Sequence, residues 1–326
     1  MDVEEKVALV QSNTEEIITK AELEELLSKK KKPRAYVGYE PSGKIHLGHM
    51  LTANKLIEMQ KADFEIVVLL ADLHAYLNKK GSLEEIRDTA EFNKECFIGM
   101  GLRPENTKFI LGSDIQLTKE YFLNVQKLAL ETTLLRAKRS MDLIGREEED
   151  PRVARVMYPL MQVMDMVALG VDVAVGGIDQ RKIHMLARDN LPKLGFPVPV
   201  CIHLPIVRGL DGGEKMSSSK GNFVSVDDSE EEIKKKLTKA YCPTGEVEGN
   251  PILEIYEHHI FKKLGEVKVE RLEKFGGDII FRSYKEMEDA YRKKLLHPQD
   301  LKSAASKYAA EILAPAREHL KKKGYG

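Results

Sequence analysis

The stretch Ala35-Tyr36-Val37-Gly38-Tyr39-Glu40-Pro41-Ser42-Gly43-Lys44-Ile45-His46-Leu47-Gly48-His49 decides the fold class. Its first five residues form the aromatic and β-branched run of a strand. Pro41-Ser42-Gly43 then supplies a turn. Beyond it, Leu47, Leu51, Leu56 and Ile57 recur at helical spacing. A strand that turns directly into a helix is the opening half of a parallel β–α unit.

The same alternation continues outward. Residues 64–70 are a continuous apolar run of the kind buried in a parallel sheet. Ser82-Leu83-Glu84-Glu85 is a capping box that opens a helix expected to reach Met100. Phe109-Ile110-Leu111 predicts a short strand, and helical patterns cover 118–145 and 153–169. Val171-Asp172-Val173-Ala174-Val175 predicts a strand ending in Gly176-Gly177. A helix over 180–194 and a last strand within 198–207 follow. The repeated order predicts an α/β fold: a doubly wound parallel, Rossmann-like nucleotide-binding sheet with helices on both faces. The first thirty residues predict helix, closing on the solvated run Lys29-Lys30-Lys31-Lys32. After Asn222 the pattern changes. Ser229-Glu230-Glu231-Glu232 opens a helix, and the remaining chain predicts helix without a strand. Two domains are therefore expected, 1–225 and 226–326.

A chain of 326 residues suits one large domain plus a smaller one. Fifty-one Lys and Arg against 52 Asp and Glu leave a formal charge of -1. Global charge therefore does not advertise a nucleic-acid partner, though a local basic face still can serve one. The apolar run 66–71 is too short to span a bilayer. The N-terminus shows no secretory leader pattern. Cys96, Cys201 and Cys242 are too few and too scattered for a disulfide framework or a zinc site. A cytoplasmic protein without a membrane partner or a protein-held metal is expected.

Two motifs carry chemistry. His46 and His49, three apart, share a helical face where free backbone N–H groups favour an anion. Gly48 between them lets a ligand approach the backbone. With no carboxylate or cysteine at ligand spacing, the pair suits phosphate hydrogen bonding better than a metal. Taken alone, the spacing fits two ordinary surface histidines better. The second motif, Glu214-Lys215-Met216-Ser217-Ser218-Ser219-Lys220-Gly221-Asn222, places lysines and hydroxyls on a glycine-flanked loop. Such a loop can close over a polyphosphate and neutralise developing charge, or be a plain polar loop.

Together, in this order, the two resemble the HIGH and KMSKS signatures of class I aminoacyl-tRNA synthetases, here His46-Leu47-Gly48-His49 and Lys215-Met216-Ser217-Ser218-Ser219. Leucine replaces isoleucine at 47, a volume-conserving change. Ser218 stands where a second lysine is usual, so one cation is missing there and Lys220 is its nearest alternative. Three further stretches, Tyr36-Val37-Gly38-Tyr39-Glu40-Pro41-Ser42-Gly43, Tyr158-Pro159-Leu160-Met161-Gln162-Val163-Met164-Asp165 and Val175-Gly176-Gly177-Ile178-Asp179-Gln180, are similar to the tyrosyl-tRNA synthetases of the archaeal and eukaryotic type. So are Lys274-Phe275-Gly276-Gly277-Asp278 and Leu296-His297-Pro298-Gln299-Asp300-Leu301-Lys302, which extends the resemblance over nearly the whole chain.

The resemblance implies an enzyme that activates L-tyrosine with ATP to tyrosyl-adenylate and pyrophosphate, then transfers tyrosyl to the 3′ end of tRNA(Tyr). It implies Mg²⁺ accompanying ATP, no tightly bound cofactor, and a homodimer with its interface near residues 120–150. Catalysis falls to His46, His49, Lys215, Ser217 and Ser218. Tyrosine falls to Tyr36 and Asp165 at its hydroxyl, and to Tyr158, Gln162 and Gln180 at its head group. ATP falls to Gly48, Gly176, Asp179 and Ser218. The tRNA falls to Arg139 and Arg181 at the acceptor stem, and to Phe275, His297 and Asp300 at an anticodon held by 226–326. The chemistry agrees. A phenol both donates and accepts, which suits a tyrosine and a carboxylate together. Tyr158, Gln162 and Asp165, at i, i+4 and i+7, share one helix face. By residue type alone, Phe275 suits base stacking or a core, and Arg139 suits phosphate or bare solvent. Three rivals stand beside this reading: a tryptophan-specific sister enzyme, a nucleotidyltransferase outside translation, and an inactive RNA-binding homologue.

Overall fold

A computed structural model of the protein describes residues 1–142 and 152–325. The chain folds into two compact units. The first comprises Met1–Ser42, Thr52–Lys94 and Leu102–Pro205; the second comprises Gly43–Leu51, Glu95–Gly101 and Ile206–Gly326.

The first unit is built on a six-stranded sheet. In chain order its strands are β1 (Glu16–Ile18), β2 (Arg34–Tyr39), β3 (Glu65–Leu70), β4 (Thr107–Leu111), β5 (Val173–Gly177) and β6 (Val200–Leu204), and across the sheet they run β1-β6-β5-β2-β3-β4. Strands β2 to β6 pair in parallel, as the strand–helix order predicts. Strand order reverses between β2 and β5. Open α/β sheets hold ligands beyond the carboxyl ends of the strands at such a reversal. The core carries Tyr36, Val67 and Leu69 from the sheet, and Val163, Met164 and Leu186 from helices packed on it.

The N-terminal thirty residues are not one helical stretch. Helices Val3–Gln11 and Lys20–Lys29 are each opened by a capping box, Asp2 with Glu5 and Thr19 with Glu22. Between them β1 adds an antiparallel edge to β6. The buried Lys55 Nζ accounts for one sharp end, donating to the Val10 carbonyl at 2.9 Å and to the Ser12 carbonyl just past the first helix. The single pattern over 118–145 resolves into Lys119–Glu131 and Leu134–Ser140. The break falls at Thr132-Thr133, where the Thr133 hydroxyl accepts from the Arg136 N–H at 3.2 Å and starts the chain anew. Residues 143–145 of that expectation lie outside the described residues.

In the second unit, the segment around Ile45 to Leu47 is stitched to the segment around Val224 to Val226. Leu47 N–H donates to Val224 O at 3.0 Å and Val226 N–H to Ile45 O at 2.9 Å, with His46 opposite Ser225. The expected helix at 229 forms as Glu230–Lys239, opened by its Ser229–Glu232 box. The 25-residue helix Pro298–Lys322 crosses 95–101 so closely that a Cβ on Gly99 would lie 3.0 Å from the Ala316 α-carbon. The expectation of a strand-free C-terminal part is overturned by β7 (Val267–Val269) and β8 (Ile279–Phe281), an antiparallel pair. Three residues each are too few for a visible alternation.

Candidate active site

Within the first unit, the carboxyl end of β2, the helix Val153–Ala168 and the turn after β5 gather the residues expected around a tyrosine. Tyr36 and Asp165 are each 1% exposed. Asp165 Oδ1 accepts from Gln116 Nε2 at 2.8 Å and lies 2.7 Å from the Tyr121 hydroxyl. Its other oxygen, Oδ2, has no hydrogen-bond partner among the described residues, and neither has the Tyr36 hydroxyl. His74 Nε2 and Gln116 Oε1 are similarly unpartnered and buried, with His74 Nε2 4.0 Å from Asp165 Oδ2. Buried polar atoms are rarely left unpaired in a finished core. The Tyr36 hydroxyl and Asp165 Oδ2, near enough that the carboxylate acts on the phenol, are a donor and an acceptor that one polar ligand atom could satisfy.

Burial sets the protonation here. It pushes the Asp165 carboxyl up to about 7, against the hydrogen bonds of Gln116 and Tyr121. It pushes His74 down to about 4, so that imidazole is neutral near pH 7 and the contact with Asp165 is no ion pair. Burial, then the charge of Asp165, holds the Tyr36 phenol well above its ordinary value, as a donor.

Tyr158, Gln162 and Asp165 do share one face of their helix. Gln162 Nε2 donates to Gln180 Oε1 at 3.1 Å, which joins the helix to the turn after β5. Gly176 is needed for that turn: a Cβ there would lie 2.9 Å from Gln180 Cγ and 3.4 Å from His184 Cε1. Asp179 is buried beside it. Sequence reasoning missed His74, Gln116 and Tyr121. The first two sit on the helices Asp72–Leu77 and Gly112–Gln116, too short to show a period.

The second unit holds the histidine and lysine–serine motifs together. His46 N–H donates to His49 Nδ1 at 3.2 Å, and Gly48 N–H donates to His46 Nδ1 at 3.2 Å. Desolvation first, then neighbouring positive charge including that of Lys215, pushes His46 down to about 2 and His49 to about 3. Both rings are therefore neutral. Because each Nδ1 accepts, each proton sits on Nε2. Each neutral ring thus carries a hydrogen-bond donor at Nε2 without added charge, and Lys215 is the cation beside them. A Cβ on Gly48 would meet His46 Cε1 and Nδ1 at 3.0 Å, and one on Gly43 would meet the Ser218 hydroxyl at 2.7 Å. The two motifs therefore touch.

The lysine–serine loop is shaped by its own side chains. Ser217 N–H donates to Asn222 Oδ1 at 2.9 Å, and Asn222 Nδ2 donates to Asp211 Oδ1 at 2.9 Å. Ser217 and Ser219 hydroxyls lie 3.1 Å apart. The Lys220 charge bears on Asp211, whose carboxyl is held below its usual range chiefly by the Gly213 N–H and the Asn222 amide.

The residues expected for tRNA are surface groups. Arg139 is exposed on Leu134–Ser140. Arg181 is exposed but engaged, its Nε 2.8 Å from Glu16 Oε2. Phe275 is 59% exposed, with Lys274 Nζ 5.0 Å above its ring, which disposes of a core role. Arg271 ties its turn to the next segment, donating to Gly277 O and Leu295 O at 2.9 Å each. Two residues on, His297 caps Pro298–Lys322, accepting from Gln299 N–H at 3.1 Å, and Asp300 lies in that helix's first turn.

Comparison with known proteins covers nearly the whole chain. The family described as tRNA synthetases class I (W and Y) matches residues 28–314. The tyrosine–tRNA ligase of Methanosarcina barkeri is 61% identical over 316 residues, covering 97% of this chain and 99% of that protein. That of Methanopyrus kandleri is 57% identical, covering 98% of each. The crystal structure of the tyrosyl-tRNA synthetase from Archaeoglobus fulgidus, complexed with L-tyrosine, is 56% identical and superposes with a TM-score of 0.93 over 98% of this chain and 100% of that one. A tryptophanyl-tRNA synthetase from Aeropyrum pernix, 23% identical with a TM-score of 0.75 over 93% and 82%, shares the fold.

Proposed function

We infer the reaction from a premise: this chain belongs to the tRNA synthetases of class I that serve tryptophan and tyrosine. It is a tyrosine–tRNA ligase in activity. It joins the carboxylate of L-tyrosine to the α-phosphorus of ATP, releases pyrophosphate, and passes tyrosyl to the terminal ribose of tRNA(Tyr). The observation that carries the choice of amino acid is the pair of orphaned buried atoms, the Tyr36 hydroxyl and Asp165 Oδ2. A substrate phenol donates to the carboxylate and accepts from the tyrosine, so one ligand atom satisfies both. An indole N–H donates only and leaves the Tyr36 hydroxyl unmet.

In this reading Tyr158, Gln162 and Gln180 receive the head group, while Gly176 and Asp179 receive the ATP ribose. His46 and His49 donate to phosphate oxygens, Gly48 between them leaves ATP room to approach the backbone, and Lys215 with Ser217 and Ser218 neutralises charge on the leaving pyrophosphate. ATP enters as its magnesium complex, the ion carried by phosphates. No covalent nucleophile is required. Residues 1–225 carry this chemistry and 226–326 read the anticodon, with Phe275 stacking on a splayed base and Asp300 and His297 beside it. Arg139 and Arg181 face the acceptor stem, Arg181 exchanging Glu16 for phosphate.

The enzyme works as a homodimer in the cytoplasm. Leu117, Phe122, Leu123, Leu130, Leu134 and Leu135 are exposed between 53% and 88% in the first unit, an apolar face that a second copy covers. The deciding experiment is ATP–pyrophosphate exchange screened over twenty amino acids. Tyrosine alone is expected to support it. Exchange driven by tryptophan, or by none, overturns the assignment.

A further inference from the structure

The head-group residues Tyr158, Gln162 and Gln180 offer dipoles but no charge, whereas the α-ammonium of an amino acid is a full cation that sheds part of its water on binding. An anion should face it. Asp165 is committed to the phenol end and Asp179 to the ribose.

Side chains alternate along a strand, so Tyr36, Gly38 and Glu40 follow one another on one side of the chain as it leaves β2. A Cβ on Gly38 would fall 2.7 Å from the Tyr36 hydroxyl. That hydroxyl is therefore folded along the strand to the level of residue 38, in the space a side chain would need. Glu40 lies two residues farther on, about 7 Å at roughly 3.3 Å per residue. This is also the reach from the phenol oxygen to the ammonium of a tyrosine.

The far end carries its own marker. Burial first, then the nearby Glu40 carboxylate, holds the Tyr158 phenol well above its ordinary value, so the two side chains lie close together. The Tyr158 ring stands edge-on to His74, with centroids 4.5 Å apart. Asn78 Nδ2 donates to Glu40 Oε1 at 2.5 Å and fixes the carboxylate. Among the described residues both of these partners are neutral, so the charge of Glu40 is held in place without being cancelled.

We propose that Glu40, oriented by Asn78, is the counter-charge for the substrate ammonium and so selects α-amino acids over uncharged phenols in this site. The proposal rests on the tyrosine reading above. It makes Tyr158 a relay, its hydroxyl beside Glu40 and its lone pair turned to the ammonium.

The test separates charge from shape. Dissociation constants are measured by calorimetry on the full-length enzyme and its E40Q variant, with two ligands. Tyramine keeps the phenol and the ammonium; 3-(4-hydroxyphenyl)propan-1-ol keeps the phenol and the reach but has no ammonium. E40Q should weaken tyramine on the order of tenfold and leave the alcohol unchanged. It should also raise KM for tyrosine while leaving KM for ATP alone, and E40D should recover part of the loss. Equal weakening of both ligands makes Glu40 a structural wall. No change in either, or a shift confined to KM for ATP, also overturns the proposal. Wild-type enzyme that binds neither ligand and shows no tyrosine-dependent exchange defeats the parent reading instead.

Discussion

Replacing Asp165 by alanine should damage the choice of amino acid far more than the chemistry. Tyrosine pairs two buried atoms, the Tyr36 hydroxyl and Asp165 Oδ2, that have no partner among the described residues. Phenylalanine fits the same space and leaves both unmet. Each unmet buried group costs about 1–3 kcal/mol, so the pair is worth about 2–6 kcal/mol of discrimination. At about 1.4 kcal/mol per decade, that is roughly 30-fold to 10⁴-fold in kcat/KM. Asp165→Ala removes one member, so the tyrosine-to-phenylalanine ratio should fall by about 5- to 150-fold. The maximal rate of adenylate formation from tyrosine, with ATP saturating, should change much less, because no reacting atom touches Asp165 in this reading. Asp165→Asn is the control for folding. Its retained oxygen can still accept from Gln116, while its amide turns the Oδ2 position from acceptor to donor. The substrate phenol can then only accept there, so selectivity should lie between wild type and alanine. The assay is pyrophosphate exchange with each amino acid in turn. A ratio unchanged in Asp165→Ala refutes the phenol assignment.

Three further outcomes are expected. His49→Ala should lower the rate of tyrosine-dependent exchange by about 10²-fold, as losing one transition-state donor does, with tyramine affinity unchanged by calorimetry; a pure affinity loss contradicts the donor role. Phe275→Ala should reduce kcat/KM for tRNA charging about tenfold, the worth of one base stack, while sparing exchange; equal damage to both makes Phe275 structural. The pH dependence of stability should carry two opposite signs. His46 and His49 titrate far lower folded than unfolded, so the stability they contribute is present above about pH 6.5 and is lost as pH falls toward 2–3. Asp165 titrates higher when folded, so its contribution is full below about pH 4 and is lost as pH rises through 7. Thermal melting from pH 4 to 9 should show the acid slope flattened in a His46→Gln, His49→Gln variant and the neutral slope flattened in Asp165→Asn. Slopes unmoved by either variant contradict the burial argument.

Much of this site was visible as spacing. The stripe Tyr158, Gln162, Asp165 needs only the helical repeat, and the strand–turn at Ala35 to Gly43 needs only β-favouring residues followed by Pro and Gly. The orienting groups behind that stripe were not visible. His74 and Gln116 lie on helices of six and five residues, and their meeting with Asp165 is purely tertiary. Strands β1, β7 and β8 escaped for the same reason, three residues each holding little more than one alternation cycle.

The seam that ties Ile45 to Ser225, whose hydroxyl donates to the Ile45 carbonyl, spans 180 positions of chain. A ribosome emits the two histidines early, yet their hydrogen-bonded partner strand emerges only after about two-thirds of the polypeptide has been made. Until then that stretch has no ladder to join, and a nascent chain cut at Pro205 should possess the amino-acid slot without an ordered phosphate cradle. Synthesis itself therefore delays the competence to consume ATP until the segment that will grip the leaving group exists.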